Sequence, residues 1–331
     1  LALPPSAAEL LERMRAAPSL AEELEPPAEL QPLLRPYQRE GVRFLLRLAH
    51  WAGGACLADD MGLGKTLQAL AVLIARRELG PALVVAPTSV CDNWLDESRR
   101  FAPGLRMQLY RGAGRARHLD ALGPGDVLVT SYELVQRDKA ALSAIAFATQ
   151  VLDEAHMLKN ALSRRARAAA ATNAAFRIAL TGTPLENHLG ELWSLMSLLN
   201  PALLGSWRQF RTRFGVPIER DANQERLNLL RRIIQPFVLR RSKSEVAPEL
   251  PARLEITKRI VLSEQEQTLY DAAASDVRKK LGSGRRLKLD QVSLLAEITR
   301  LRQLACHPRL LMPELEMQSS KLLALCELLD D

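Results

Sequence analysis

The stretch LADDMGLGKTLQAL, Leu57 to Leu70, decides how this sequence is read. A short apolar run, ACLAD at 55–59, leads into a glycine turn, and the turn opens an amphipathic helix predicted over 66–78. Strand, glycine turn and helix in that order form the pattern G-x-x-x-x-G-K-[ST] of a phosphate-binding loop. One position departs from it: Asp59 stands where the first glycine belongs.

The residue types suit an anion. Backbone N–H groups of the turn and the positive end of the following helix dipole point at the same spot. Gly62 and Gly64 sit where backbone must pass close to a phosphate and no Cβ is tolerated, Lys65 reaches the β- and γ-phosphates, and the Thr66 hydroxyl is placed for Mg²⁺. Asp59, Asp60, Met61 and Leu63 complete the expected ATP-binding loop. Such a site needs an acid at the end of a neighbouring strand. VLDEAH supplies it: Val151 and Leu152 close an apolar run, Asp153 is the expected Mg²⁺ anchor, and Glu154 is the expected activator of the attacking water. Lys65, Asp153 and Glu154 are thus the candidate catalytic residues of an ATP hydrolase that uses ATP and Mg²⁺.

Outward from these motifs, short β-rich runs alternate with helical patterns: ALVVAPTS at 82–89, RMQLY at 106–110, DVLVTSY at 126–132, TQVLDEAH at 149–156 and FRIALTGTP at 176–184, with helices predicted over 91–101 and 163–172. Apolar strands alternating with helices predict an α/β fold, a parallel sheet between helical layers, with ligands at the carboxyl ends of the strands. A short helix is predicted over 7–17, followed by a Pro- and Glu-rich connector. After Pro201 the pattern turns helical. Strand-like pieces come next at 236–241 and 254–263, then long helices at 264–281 and 290–305.

The chain has 331 residues, 47% of them apolar, and 45 basic against 38 acidic side chains give a net charge of +7. That sign suits a polyanionic partner without establishing one. Its 4 cysteines, Cys56, Cys91, Cys306 and Cys326, are far apart, so zinc is not expected, and a reducing compartment fits better than a disulfide framework. No apolar run approaches the ~18 residues that span a membrane. The amino-terminal residues lack the basic start and long apolar core of a signal peptide. A soluble, cytoplasmic protein is expected.

An ordered set of further motifs resembles the first half of an SWI/SNF-type ATPase, a branch of the superfamily-two DEAD/DEAH-box helicases. LRPYQREGVRFL (34–45) is similar to the adenine-recognition segment, and LADDMGLGKT to the family's phosphate loop, whose usual acidic pair is Asp-Glu where this chain has Asp59-Asp60. VVAPTSVCDNWLDE (84–97), VLVTSYEL (127–134), LDEAH and LTGTPLENHLGELWSLMSLLNP (180–201) resemble motifs Ia, Ib, II and III, and PFVLRRSKSEVAPELP (236–251), LRQLACHP (301–308) and SSKLLALCELL (319–329) continue the run. The resemblance implies a RecA-like lobe with helical insertion elements. It implies that Gln38 meets the adenine edge and that Thr88, Ser89, Thr130 and Ser131 grip one DNA strand through its phosphates. Read alone, either Ser/Thr pair reads first as a helix N-cap and only then as a phosphate contact. It also implies that Thr181, Gly182 and Thr183 connect the Mg²⁺ site to the DNA track and that His156 relays contacts from the ATP site. Trp94 and Trp193 read as packing residues.

The resemblance divides the chain into an amino-terminal segment (1–33), a RecA-like first lobe (34–250, with a helical insertion around 200–235), a helical linking region (251–317) and the start of a second lobe (318–331). Motif VI, Q-x-x-D-R-x-H-R-x-x-Q, and motif V do not occur. The expected partner is double-stranded DNA, bound through its backbone regardless of sequence, and the expected activity is translocation that remodels DNA-bound proteins. The composition suggests a bacterial, nucleoid-associated protein. Two other readings stay open: an ATPase that recycles RNA polymerase, and a non-enzymatic, nucleotide-gated DNA-binding platform.

Overall fold

The structure, a computed structural model, describes residues 12, 24–182, 189–201, 203–246, 256–282 and 291–330. The helix expected over 7–17 lies, apart from Glu12, outside the described residues. The chain divides into two compact units, Leu1–Pro251 and Ala252–Asp331.

The first unit opens with α1 (Pro36–Trp51). Pro36 occupies the first helical position, where a missing N–H costs nothing, and the Gln38 side chain accepts from the Arg35 N–H at 2.9 Å. Next along the chain come β1 (Gly54–Leu57), α2 (Lys65–Ala75), β2 (Ala82–Ala86), α3 (Cys91–Phe101), β3 (Arg106–Leu109), β4 (Asp126–Ser131), α4 (Tyr132–Arg137), β5 (Ala146–Leu152), α5 (Arg164–Ala171), β6 (Asn173–Leu180), α6 (Leu189–Leu199), α7 (Gln224–Ile234) and β7 (Val238–Leu239). The strands form one sheet in the order β3-β4-β2-β5-β6-β1-β7, and every neighbouring pair is parallel. Every residue of β1, β2 and β4 is buried, as a sheet covered on both faces requires. The α/β expectation therefore holds.

Register fixes where the site lies. Leu57 of β1 pairs with Leu180 of β6, and Leu152 of β5 with Ala179. The three strands consequently end within a residue of one another, and the loops leaving them emerge on the same edge. The runs predicted to continue as strand to 156 and 184 stop at Leu152 and Leu180, because the polar residues beyond leave the ladder to form the site. At the opposite end Asn200 pins the start of β1. Its Oδ1 accepts from the N–H groups of Gly53 and Gly54, at 2.9 and 3.2 Å, while its Nδ2 donates to the Gly54 carbonyl.

The insertion before β7 is helical, as predicted. Ser206 caps a helix over 207–219 whose Arg211–Gly215 stretch is π-helical. The 236–241 piece shrinks to the two residues of β7, beside β1.

The second unit is built from α8 (Glu264–Gly282), α9 (Gln291–Cys306) and α10 (Ser320–Asp330). Buried Glu266 joins two helix starts: its Oε2 accepts from the Ser263 N–H at 2.9 Å, and its Oε1 from the Ser320 N–H at 3.0 Å. The strand predicted over 254–263 is a correction. Its described part, 256–263, is extended but pairs with no strand among the described residues, and Ile256 and Val261 stand exposed. A strand without a ladder partner has nothing to hold it.

Candidate active site

The glycine loop fills the space between β1 and α2. Gly62 (φ 84°) and Gly64 (φ 72°) adopt the left-handed conformation that L side chains resist. A Cβ on Gly64 would lie 2.4 Å from Gln38 Nε2, so glycine is required there on two counts. Lys65 opens α2 and folds its ammonium back onto the loop, donating to the carbonyls of Asp59 at 2.7 Å and Asp60 at 3.1 Å. Burial pushes the Lys65 ammonium below its ordinary range, and Asp59, Glu154, Asp153 and Asp60 act against that shift. The phosphate loop and the acidic pair at the end of β5 thus share one electrostatic neighbourhood.

Asp153 is tightly held. Its N–H donates to Val85 of β2 at 2.8 Å. One carboxylate oxygen accepts from the Trp94 indole at 2.9 Å, the other from the Glu154 N–H at 2.9 Å, and its carbonyl accepts from the Tyr132 hydroxyl at 2.6 Å. Burial raises its carboxyl above the usual carboxylate range, against the lowering effect of the Trp94 and Glu154 bonds. Glu154 itself is left-handed (φ 47°, ψ 51°), a conformation that costs ~1–2 kcal/mol for a residue with a Cβ and turns its side chain away from the strand direction. His156 is exposed, and its Nδ1 lies 3.1 Å from Glu154 Oε2. Gly182, after β6, faces the loop: a Cβ there would meet Met61 Cγ at 2.6 Å and Lys65 Nζ at 3.4 Å. Thr181 is buried, its N–H on Leu57. Thr183 lies outside the described residues.

Gln38, also buried, donates to the Leu63 carbonyl at 3.2 Å, and so does Tyr37 through its hydroxyl at 3.3 Å. Asp59 is placed differently from the expectation that it faces nucleotide. Its carboxylate is wholly buried and accepts from Arg241 Nε at 3.0 Å and Arg241 Nη2 at 2.5 Å. Arg241 also donates to Gln68 Oε1 at 3.0 Å and to the Tyr37 carbonyl. Asp60 completes the dock: its N–H donates to the Arg241 carbonyl at 3.0 Å, and its carboxylate accepts from the Lys243 N–H at 3.0 Å. The acidic pair therefore anchors the loop to the chain after β7, and only the Asp59 and Asp60 carbonyls turn toward Lys65.

The candidate DNA-side residues differ among themselves. Thr88 and Ser89 are exposed just before α3. Thr130 and Ser131 are buried: the Thr130 hydroxyl donates to the Tyr110 carbonyl at 3.2 Å, and Ser131 caps α4 by accepting from the Leu134 N–H at 3.4 Å. In this conformation both hydroxyls are engaged within the fold rather than offered to a ligand.

Trp94, Tyr132, Tyr37, Gln68 and Arg241 were not among the site residues expected from sequence. A signal existed for the aromatics, because a buried indole N–H or phenol O–H must find an acceptor. None existed for Arg241, which lies 182 residues from Asp59. Trp193 packs against Trp207, ring centroids 5.3 Å apart.

The residues of the site fit a nucleotide and a divalent cation. Two left-handed glycines, a close Gly182 approach and a half-buried ammonium form a phosphate cradle. Asp153 and Thr66 offer hard oxygen donors of the kind Mg²⁺ takes.

The family model described as SNF2-related domain matches residues 37–310. YwqA of Bacillus subtilis strain 168, named for ATP-dependent helicase/translocase activity, is 39% identical over 314 residues, which are 92% of this chain and 34% of YwqA. The ISWI chromatin-remodeling complex ATPase CHR17 of Arabidopsis thaliana is 35% identical over 294 residues, 86% of this chain and 27% of that protein. Among solved structures, the Sulfolobus solfataricus SWI2/SNF2 ATPase core in complex with dsDNA is similar with a TM-score of 0.63 and 35% identity, over 90% of this chain and 64% of that one. The chain spans about a third or less of the length of these two curated relatives.

Proposed function

The chain belongs to the SNF2-related family, and from that premise we propose that it is the nucleotide-binding half of a DNA-stimulated ATPase that translocates on double-stranded DNA and remodels what is bound there. The observation that supports this most is the meeting of Lys65 and Thr66, after β1, with Asp153 and Glu154, after β5, around one edge of a parallel sheet. In this reading Lys65 binds the β- and γ-phosphates, Gln38 meets the adenine edge, and Thr66 and Asp153 hold Mg²⁺, which when bound neutralises charge on the phosphate oxygens. Glu154 orients the attacking water and accepts its proton. Gly182 keeps the turn after β6 against the loop, and His156 steadies Glu154.

Duplex DNA is the proposed partner because the Sulfolobus relative is described in complex with dsDNA. Thr88 and Ser89 are the proposed first contacts. Hydroxyls and scattered arginines grip phosphates and read no base, so binding is weak in sequence preference and steep in salt. The proposed division is a first lobe over 34–250, a helical link over 251–317 and the start of a second lobe from 318. Arginine fingers in related NTPases are worth ~10³–10⁵ in rate. With those arginines assigned to a second lobe, this chain alone binds nucleotide and duplex but turns over little.

The test is an ATPase assay on this chain and on the complete gene product, with duplex DNA, single-stranded DNA, RNA or no nucleic acid. Stimulation of the complete gene product by duplex supports the reading, robust duplex-stimulated turnover by this chain alone overturns the low activity proposed for it, and a preference for RNA overturns the substrate class. In the complete gene product Lys65→Ala abolishes turnover and keeps salt-sensitive duplex binding; loss of both would show the loop to be misassigned.

A further inference from the structure

A second cation lies against the phosphate loop, and the motifs leave it without a role. Just after β7 the backbone is pinned to the loop's own Asp60: the Arg241 carbonyl accepts from the Asp60 N–H at 3.0 Å, and the Lys243 N–H donates to the Asp60 carboxylate at 3.0 Å. From that fixed point the Lys243 side chain runs along the loop. A Cβ on Gly62 would lie 3.6 Å from Lys243 Cε and 3.5 Å from its Nζ, so the ammonium stands beside the backbone where Gly62 (φ 84°) turns. Lys243 is exposed, and among the described residues its ammonium makes no hydrogen bond and no ion pair. A positive charge is thus held at the cradle with its three donors unspent.

The sheet order says which part of a nucleotide that charge meets. β5 and β6, which lead to Asp153, Glu154 and Gly182, lie on one side of β1, and β7, which leads to Lys243, lies on the other. Lys65 stands near the first side, since a Cβ on Gly182 would lie 3.4 Å from its Nζ. In the proposed reading hydrolysis takes place there, so the γ-phosphate belongs to that side. Gln38, proposed for the adenine edge, meets the loop at Gly64. The phosphates nearest the base are the ones left for the β7 side. An ammonium suits them as a compact point charge that bonds any phosphate oxygen within reach.

We propose that Lys243 is a second phosphate-binding cation of the site, meeting the α- and β-phosphates of the nucleotide while Lys65 takes the β–γ end. This rests on the function proposed above. ADP and ATP both carry these two phosphates. The contact therefore strengthens binding of substrate and product alike and leaves the chemical step as it was.

The test titrates this chain, with Mg²⁺ present, with fluorescent ADP and with a fluorescent non-hydrolysable ATP analogue. Lys243→Met keeps the main-chain N–H on Asp60 and an unbranched stem. It weakens both nucleotides by the same factor, about tenfold, as loss of a bond to a charged group does. Lys243→Arg keeps most of the affinity, and neither variant changes the melting temperature without nucleotide. In the complete gene product Lys243→Met raises KM for ATP about tenfold at an unchanged duplex-stimulated kcat. Unaltered affinity in Lys243→Met overturns the inference. So does a loss confined to the ATP analogue, which moves the ammonium to the γ-phosphate, and so does a loss that comes with a lower melting temperature, which marks a merely structural role. Failure of the unaltered chain to bind either nucleotide overturns instead the function on which the inference rests.

Discussion

Replacing Arg241 by methionine tests how the phosphate loop is held. Arg241 is 8% exposed and Asp59 is 0% exposed. Methionine keeps an unbranched apolar stem and removes the two bonds to Asp59 together with those to Gln68 and the Tyr37 carbonyl. Asp59 is then left with the Gln68 amide at 3.5 Å. Removing one partner of a buried ion pair costs about 3–5 kcal/mol. Urea denaturation followed by tryptophan fluorescence measures it, since Trp51, Trp94, Trp193 and Trp207 all lie in the first compact unit. Adding Asp59→Asn to Arg241→Met recovers most of the loss. A deficit under about 1 kcal/mol refutes the reasoning.

Gly64→Ala combines a left-handed φ with a Cβ placed 2.4 Å from Gln38 Nε2; it costs about 1–2 kcal/mol of stability by thermal melting and weakens binding of a fluorescent ATP analogue. Glu266→Ala, in the second unit, releases the Ser263 and Ser320 N–H groups; hydrogen exchange at 320–330 rises by an amount equivalent to about 1–3 kcal/mol. The Arg115 fork, Nε at 2.5 Å and Nη2 at 3.0 Å, holds the Asp138 carboxyl below its ordinary 3.8. Its contribution is full above that ordinary value and is lost as pH falls toward the lower folded value. Asp138→Asn is therefore less stable than the unaltered chain at neutral pH, and acid titration of unfolding shows the two converging.

The helix over 91–101 was legible to the residue because Pro87 and Pro103 bracket an amphipathic run between them. The strands were legible in position, and their ends were overrun, because an apolar run shows where a strand is buried and says little about where polar residues leave the ladder. The 254–263 piece misled for the opposite reason. Its apolar residues suit a sheet, and only the fold reveals that no described neighbour is there to pair with them. Lys65, Thr66, Asp153 and Glu154 could be read because each motif is local. The Asp59–Arg241 pair could not, since no periodicity spans 182 residues. Asp59 itself illustrates the limit: sequence showed that the first glycine of the loop was replaced, and the structure shows the replacement facing away from the cradle, as an anchor.

The ammonium of Lys65, resting on the Asp59 and Asp60 carbonyls, makes phosphate capture an exchange of acceptors. An incoming anion gains the cation only by taking it from two backbone oxygens, which then turn to solvent. The folded-back lysine therefore sets a cost that any anion entering the cradle has to offset with contacts of its own.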